Sequence, residues 1–387
     1  MRVIFVSGAV ANKPLNGGAA WTRLSWALGL KRMGFDVYFV EQIARRTCRD
    51  GEGRPAAFAE SLNLRFFDSV MAAFGLRGAA ALIDEDGQEV HGLTWAELLE
   101  AAEAADLLVN LSGHLSSEPL MSRLRRRAFI DLDPGFTQAW HSAGNQGARL
   151  AGHDFLFTVA ENIHSRECLI PTGDFRWRPT RQPVVLEHWP VVGAGARERF
   201  TTVASWRGPF GPVEHAGRRL GLKLHEFRRF IDLPEQATQS FEIALDIHAA
   251  DESDREALRR HGWRLVDPKR VAATPEAFRR YVQRSGAEFS AAQGIYVESR
   301  SGWFSDRTTR YLASGKPALV QDTGFTRQLP VGDGLLAFRN LHEATAGAAA
   351  IAADPERHGR AARALAEAYF DSDKVLERLL QDVGVSP

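Results

Sequence analysis

GIYVESRSGWFSDRTTRYLASGKPALVQDTGF, residues Gly294 to Phe325, is the stretch from which the rest of the chain is read. Its order is an apolar run expected as a strand (Ile295 to Val297), a glycine-bearing turn (Ser301, Gly302), a helical segment (Ser305 to Ala313), a Ser-Gly-x-Pro break and a second strand (Ala318 to Val320). This is the strand–loop–helix–strand unit of a parallel sheet. Such a unit sets a loop at the start of a helix, where backbone N–H groups lack intrahelical partners and the helix dipole adds partial positive charge. An anion or phosphate is expected at that loop. Ser305 and Asp306 are N-cap residue types, and Asp306 could alternatively hold a ribose hydroxyl.

Gly302-Trp303-Phe304-Ser305-Asp306-Arg307, followed by Tyr311-Leu312-Ala313-Ser314-Gly315-Lys316-Pro317, resembles the donor-binding segment of GT-B glycosyltransferases. The resemblance implies that the helix start receives a nucleotide-sugar diphosphate, which makes Ser301, Gly302, Trp303, Ser305, Asp306 and Arg307 donor-binding candidates. Gln321-Asp322, after the following strand, resembles the amide-plus-acid pair with which some of these enzymes hold sugar hydroxyls. The register set by Gly315 puts Gly302 and Arg310 where retaining members carry a Glu-x7-Glu pair, so Asp306 is the substitute ribose contact.

With 387 residues the chain can form two domains with sizeable cores, and 44% apolar with 25% charged residues is ordinary for a globular protein. Lys plus Arg and Asp plus Glu are 48 each, so no global field draws the chain to nucleic acid or an anionic membrane. Only Cys48 and Cys168 occur, in no metal-like spacing, which supports neither a disulfide framework nor a zinc site. No apolar run approaches a membrane span, and MRVIFVSGAV is too short for a secretory leader. A cytoplasmic protein with no integral membrane segment is expected.

Val3 to Val6 reads as a buried central strand, followed by a loop ending Asn16-Gly17-Gly18 and a helix with Trp21, Leu24 and Leu28 on one face. The loop lacks G-x-G-x-x-G, so its glycines are read as letting the backbone approach a ligand or the facing domain. Three further strands end in polar tips: Ser112-Gly113-His114, Asp131-Leu132-Asp133 and Ala160-Glu161-Asn162. Ligands of open parallel sheets bind outside such carboxyl ends. Pro179 to Pro190 carries three prolines and reads as the connector. The expected organisation is therefore α/β, two Rossmann-like doubly wound domains facing across a cleft. It divides into an acceptor-side domain at 1–185, a donor domain at 186–372 and a terminal helix at 373–387.

Glycosyl transfer needs a stabilised leaving diphosphate, a positioned acceptor and, for inversion, a base. Arg207 and Lys223 stand where similar enzymes carry diphosphate-binding cations, and His114 and Asp133 are the catalytic candidates at the first domain's strand ends. Asp131-Leu132-Asp133 could be a metal-binding Asp-x-Asp, but the two-domain layout argues against that reading, and no metal or cofactor beyond the nucleotide sugar is expected. The expected activity is hexosyltransferase-type transfer from a nucleotide sugar to an unidentified acceptor. A nucleotide-sugar epimerase and a non-catalytic nucleotide-sugar binder are the competing readings.

Overall fold

Val3–Ser7 (β1) carries apolar side chains at successive positions because both faces of the strand are covered. In the computed structural model, which describes residues 2–193, 199–208, 210–215 and 217–386, β1 lies inside an eight-stranded sheet. The other strands are Asp36–Ile43 (β2), Ala80–Asp84 (β3), Val90–Gly92 (β4), Ala105–Leu111 (β5), Arg127–Asp131 (β6), Phe155–Thr158 (β7) and Trp177–Pro179 (β8). Their order is β4-β3-β2-β1-β5-β6-β7-β8, parallel except for the β3/β4 hairpin. The chain turns back on itself between β1 and β5, and at that switch point Ser7 lies beside Asn110.

The second domain repeats the plan with Arg199–Ser205 (β9), Ser240–Asp246 (β12), Arg264–Val266 (β13), Ala287–Ser290 (β14), Ala318–Gln321 (β15) and Leu335–Phe338 (β16). An antiparallel hairpin, Val213–His215 (β10) with Arg218–Leu220 (β11), is inserted after β9. The sheet order β13-β12-β9-β14-β15-β16 is wholly parallel and is the doubly wound order of a Rossmann domain, with its switch point between β9 and β14. No described helix is long and apolar enough to cross a membrane.

One expectation fails here. Ile295 to Val297 is not a strand: Gly294–Glu298 is a short helix, and the strand is Ala287–Ser290. Sequence periodicity passes over Ala287–Ser290 because Glu288 sits in its middle. That carboxylate is tolerated there, with no exposed surface, because Arg307 pairs with it.

The two domains share a core. The helix Gly17–Arg32 packs on the first sheet, on the helix Pro275–Gln283 and on the C-terminal helix Ser372–Asp382. Trp21 lies 5.0 Å from Trp189, which lies 6.2 Å from Phe278, and Phe304 stacks on Phe370. Complete burial of each such ring contributes about 2–3 kcal/mol. The terminal helix follows a backbone bridge, with Val184 N–H donating to Phe370 O and Ser372 N–H to Val184 O, so the chain's end returns to the first domain.

Gly17 is where the backbones meet most closely. Its N–H donates to Ala272 O at 2.8 Å, and a Cβ on Gly17 would fall 2.1 Å from Thr274 O. Gly17→Ala is therefore expected to cost about 1–3 kcal/mol through backbone displacement at the seam. Chemical denaturation checks this, with Gly51→Ala, which meets nothing within 4 Å, as the neutral control.

Candidate functional site

The two switch points face each other, and their side chains make the cleft. On the first-domain side, Glu41 of β2 is fully buried and accepts from the N–H groups of Val10 (2.8 Å), Ala11 (2.7 Å) and Asn12 (2.8 Å). This carboxylate pins the loop after β1. Burial pushes its pKa up to about 7, against the pull of those three donors and of Arg23. The pinned loop carries Lys13, whose ammonium has no hydrogen-bond or ion-pair partner among the described residues. The charge of Arg23 and burial lower the pKa of Lys13, while Asp133, Asp306 and Glu41 act in the opposite direction.

Of the loop residues picked out in the sequence, Asn16 caps the helix, its Oδ1 accepting from Ala19 N–H at 2.9 Å. Gly17 and Gly18 face the second domain, against Thr274 and Phe278. They serve the seam rather than a ligand.

Asp131 and Asp133 do not converge. Both oxygens of Asp131 are buried under Thr137 Oγ1 (2.8 Å), Gln138 Nε2 (2.7 Å) and Thr158 Oγ1 (2.8 Å), and burial raises its pKa to about 6. This carboxylate shapes the loop and offers nothing to a metal. Asp133 projects from that loop to the cleft, where Oδ1 accepts from the Tyr296 hydroxyl of the other domain at 3.0 Å and Oδ2 has no hydrogen bond among the described residues. His114 lies at the end of β5 with Nδ1 3.2 Å from Arg149 Nη1. A guanidinium only donates, so Nδ1 accepts and the proton sits on Nε2. Burial and the charges of Arg23, Arg149 and Lys13 hold the His114 pKa well below its usual value. His114 is thus a neutral N–H donor and a poor base.

On the second-domain side, several donor candidates are already engaged. Arg307 donates to Glu288 Oε1 (2.5 Å), Val203 O (2.9 Å) and Ser290 Oγ (2.7 Å), which stitches β9 to β14 beneath the switch point. Asp306 accepts from Thr22 Oγ1 of the first domain and from Arg310 Nη1, both at 2.6 Å. Burial works against its charge, but Arg310 and these hydrogen bonds hold it below the usual carboxylate range. Asp306 Oδ2 thus bridges the domains, and its Oδ1 has no hydrogen bond among the described residues. Ser305 caps its helix by accepting from Arg307 N–H. Ser301 Oγ donates to Tyr296 O and accepts from Trp303 N–H, and Gly302 N–H donates to Thr323 O. A Cβ on Gly302, at φ +74°, would fall 2.8 Å from Asn162 Cγ, and Trp303 stacks on Tyr296 at 4.3 Å. The Ser301–Trp303 turn is closed on itself and on the first domain, so it offers no open N–H cradle.

Arg207 is held by a bidentate pair to Asp251, both contacts at 2.7 Å. Trp206 is buried with Nε1 donating to Asp254 and has no free face. Gln321 accepts from Ala292 N–H and donates to Glu226, while Asp322 pairs with Arg339. Lys223 differs from all of these. It starts the helix Lys223–Arg228 just after the hairpin, where Gly221 N–H donates to Glu298, and its ammonium has no hydrogen-bond or ion-pair partner among the described residues. Burial and the charge of Arg307 bring its pKa down to about 7, against the opposing pull of Glu288 and Asp306.

Sequence reasoning missed Lys13, Arg23, Arg149, Tyr296 and Glu41. None stands in a motif, and only the tertiary arrangement brings them to one rim. Elsewhere the seam opens into a cavity of about 830 Å³, lined by Trp21, Phe66, Phe74, His188, Pro275 and Arg279 among others, which shares no residue with the cleft cluster.

No protein-family profile and no curated sequence matches the chain. Solved structures do match. An alpha-glucosyltransferase in complex with UDP superposes with a TM-score of 0.58 at 12% identity, covering 99% of this chain and 100% of the other. Anabaena HepE in complex with UDP gives 0.57 at 10% over 99% and 100%, and sucrose-phosphate synthase from Thermosynechococcus elongatus 0.55 at 13% over 98% of each. The fold is thus the GT-B arrangement, two Rossmann-like domains across a cleft.

Removing the loop's anchor should be costly. Glu41→Ala leaves three backbone N–H groups unpaired, those of Val10 and Ala11 buried, and is expected to destabilise by about 2–3 kcal/mol or more, whereas Glu41→Gln, which keeps one acceptor oxygen, should cost less. Urea unfolding of the two variants decides whether the carboxylate holds the loop.

Proposed function

We propose that the protein transfers a glycosyl group from a nucleoside-diphosphate sugar to an acceptor hydroxyl, in the cleft between its domains. The observation that carries this reading is that each domain keeps one unengaged group of the kind the reaction needs: an unpartnered Lys223 beside the Arg307–Glu288 pair and Asp306 in one, and in the other the Asp133 carboxylate, which reaches the second domain through Tyr296 with one oxygen and keeps the other free of hydrogen bonds among the described residues. In the proposed reaction the bond between the anomeric carbon and the diphosphate oxygen breaks, and a bond to the acceptor oxygen forms. Asp133 Oδ2 takes the acceptor's proton, and Lys223 meets the charge gathering on the leaving diphosphate. The UDP bound in several structures of the same fold supports a uridine nucleotide as the first donor to test. The free Cys48 and Cys168 support a cytoplasmic setting.

The roles separate experimentally. Asp133→Asn is expected to reduce UDP-sugar turnover by a factor of about 100 or more while leaving UDP affinity within about two-fold. Lys223→Ala is expected to weaken UDP itself by about ten-fold or more. UDP binding without turnover, with every acceptor offered to the wild type, would instead identify a nucleotide-sugar binder.

Lys223 also gives a pH signature. Its charged form binds the diphosphate and is lost as the pH rises through about 7, so UDP affinity should fall between pH 7 and 9. Calorimetry on Lys223→Arg, which stays charged, should give a flat profile over that range; an equal slope in both proteins excludes Lys223 as the phosphate contact.

A further inference from the structure

The proposed transfer uses Lys223 and Asp133 but leaves three first-domain cations unexplained: Lys13, Arg23 and Arg149. Arg23 is only 6% exposed. Its Nη1 reaches no farther than Ala19 O of its own helix, at 3.3 Å, and its Nε has no partner. A guanidinium stays charged under any ordinary condition, so it cannot escape burial by losing a proton. Asp133, Asp306 and Glu41 favour its charged form, but none of them makes a direct ion pair with it among the described residues. Moreover, the fold makes room for it: a Cβ on Gly8 would fall 2.7 Å from Arg23 Cγ, so the side chain passes over the end of β1 only because residue 8 is glycine.

Arg149 is placed by unusual backbone. It has φ +53°, and it packs on Ser112 and Gly113, at +57° and +64°, where a Cβ on Gly113 would fall 2.8 Å from Arg149 Cβ. Left-handed conformations at two non-glycine residues are costly and persist only where the surroundings impose them. Their result here is an Arg149 guanidinium on His114 Nδ1, which leaves the His114 Nε2–H as one more donor on the same rim.

The nearby carboxylates Asp133, Asp306 and Glu41 offset the charges of Lys13 and Arg23 without pairing directly with either of them. Glu41 accepts from three backbone donors and Asp306 Oδ2 from Thr22 and Arg310, which leaves Asp306 Oδ1 and Asp133 Oδ2 without a hydrogen bond among the described residues. Neither Lys13, Arg23 nor Arg149 has an ion pair among the described residues. Lys223 serves the donor diphosphate from the opposite domain, so the first-domain cluster is in excess of what the donor alone requires.

We infer that Lys13, Arg23, Arg149 and the His114 N–H form a binding site for an anionic group on the acceptor, a phosphate or a carboxylate, beside Asp133. This rests on the transferase reading above and sharpens it: the acceptor is an anionic hydroxyl compound rather than a neutral sugar. Arginine forks match both anions bidentately, and charge-assisted hydrogen bonds are the strong ones.

The test is calorimetric binding of glucose 6-phosphate, glucuronate and glucose to the full chain, alone and with saturating UDP. With UDP present, at least one of the two anionic sugars is expected to bind about 10-fold or more tighter than glucose, the worth of one or two charge-assisted hydrogen bonds. Arg23→Met and the exposed Arg149→Gln should each abolish most of that preference while leaving UDP affinity within about two-fold. Arg279→Gln, on the rim of the separate cavity, should leave it intact. Equal binding of anionic and neutral sugars, or no binding of either anion, overturns the inference. So does loss of UDP affinity in Arg23→Met and Arg149→Gln together, which would assign the cations to the donor diphosphate, or loss of the preference in Arg279→Gln. Failure of the transferase reading shows separately, as absence of turnover of any nucleotide sugar by the wild type, while the sugar measurements without UDP still report on the anion site.

Discussion

Everything on the second-domain side of the cleft is organised by one buried guanidinium. Arg307 fills the space under the switch point and satisfies a carboxylate on β14, a hydroxyl on the same strand and a carbonyl on β9. Removing one partner of such a pair strands the other charge in a medium that cannot solvate it, at a cost of about 3–5 kcal/mol. The pair also sets the environment of its neighbours. Burial lowers the Lys223 pKa most, the positive end of the pair lowers it further and the negative end raises it, which brings it to about 7. A lysine poised in that way gains charge when a phosphate arrives, and its interaction with the phosphate strengthens as the site fills.

The domains meet through backbone as well as side chains. Glycines at 17, 302 and 324 stand where a Cβ would collide with the opposite domain, and Asn162 threads its amide between the carbonyls of Arg300 and Gly324. Asp306 completes the seam by accepting from a threonine of the first domain. These contacts close the face of the anion loop that the sequence offers to a ligand. What stays open to a substrate are the partnerless cations and the half-free Asp133 at the strand tips.

The fold was legible because its signals are local. Short apolar runs and the polar tips that end them gave β1, β5, β6, β7 and β15. The site was legible only in part. Lys223 and Asp133 stand out in the sequence from their positions at element ends, and both keep an atom unengaged among the described residues. Arg307, Arg207 and Gln321 look equally available in the sequence, and nothing local reveals that Glu288, Asp251 and Glu226 have already engaged them. Conversely, Arg23 reads as one polar position on an apolar helix; its isolation from any direct ion pair comes from the tertiary arrangement, with Asp133, Asp306 and Glu41 acting on it without contact.

That isolation bears on how the fold tolerates its own site. Two like charges at contact range repel by about 1–4 kcal/mol at the effective dielectric of a protein surface. The first-domain rim assembles three of them, and none forms an ion pair among the described residues. Asp306 relieves this only in part, because Arg310, whose Nε is buried without a partner, brings a further positive charge beside it. The favourable terms that offset the repulsion are structural ones at a distance: the Glu41 anchor, the shared aromatic seam and the Asp131 cage. Stability is thus concentrated around the cleft and withheld from it, which leaves the rim a surplus of positive charge for an anion to neutralise.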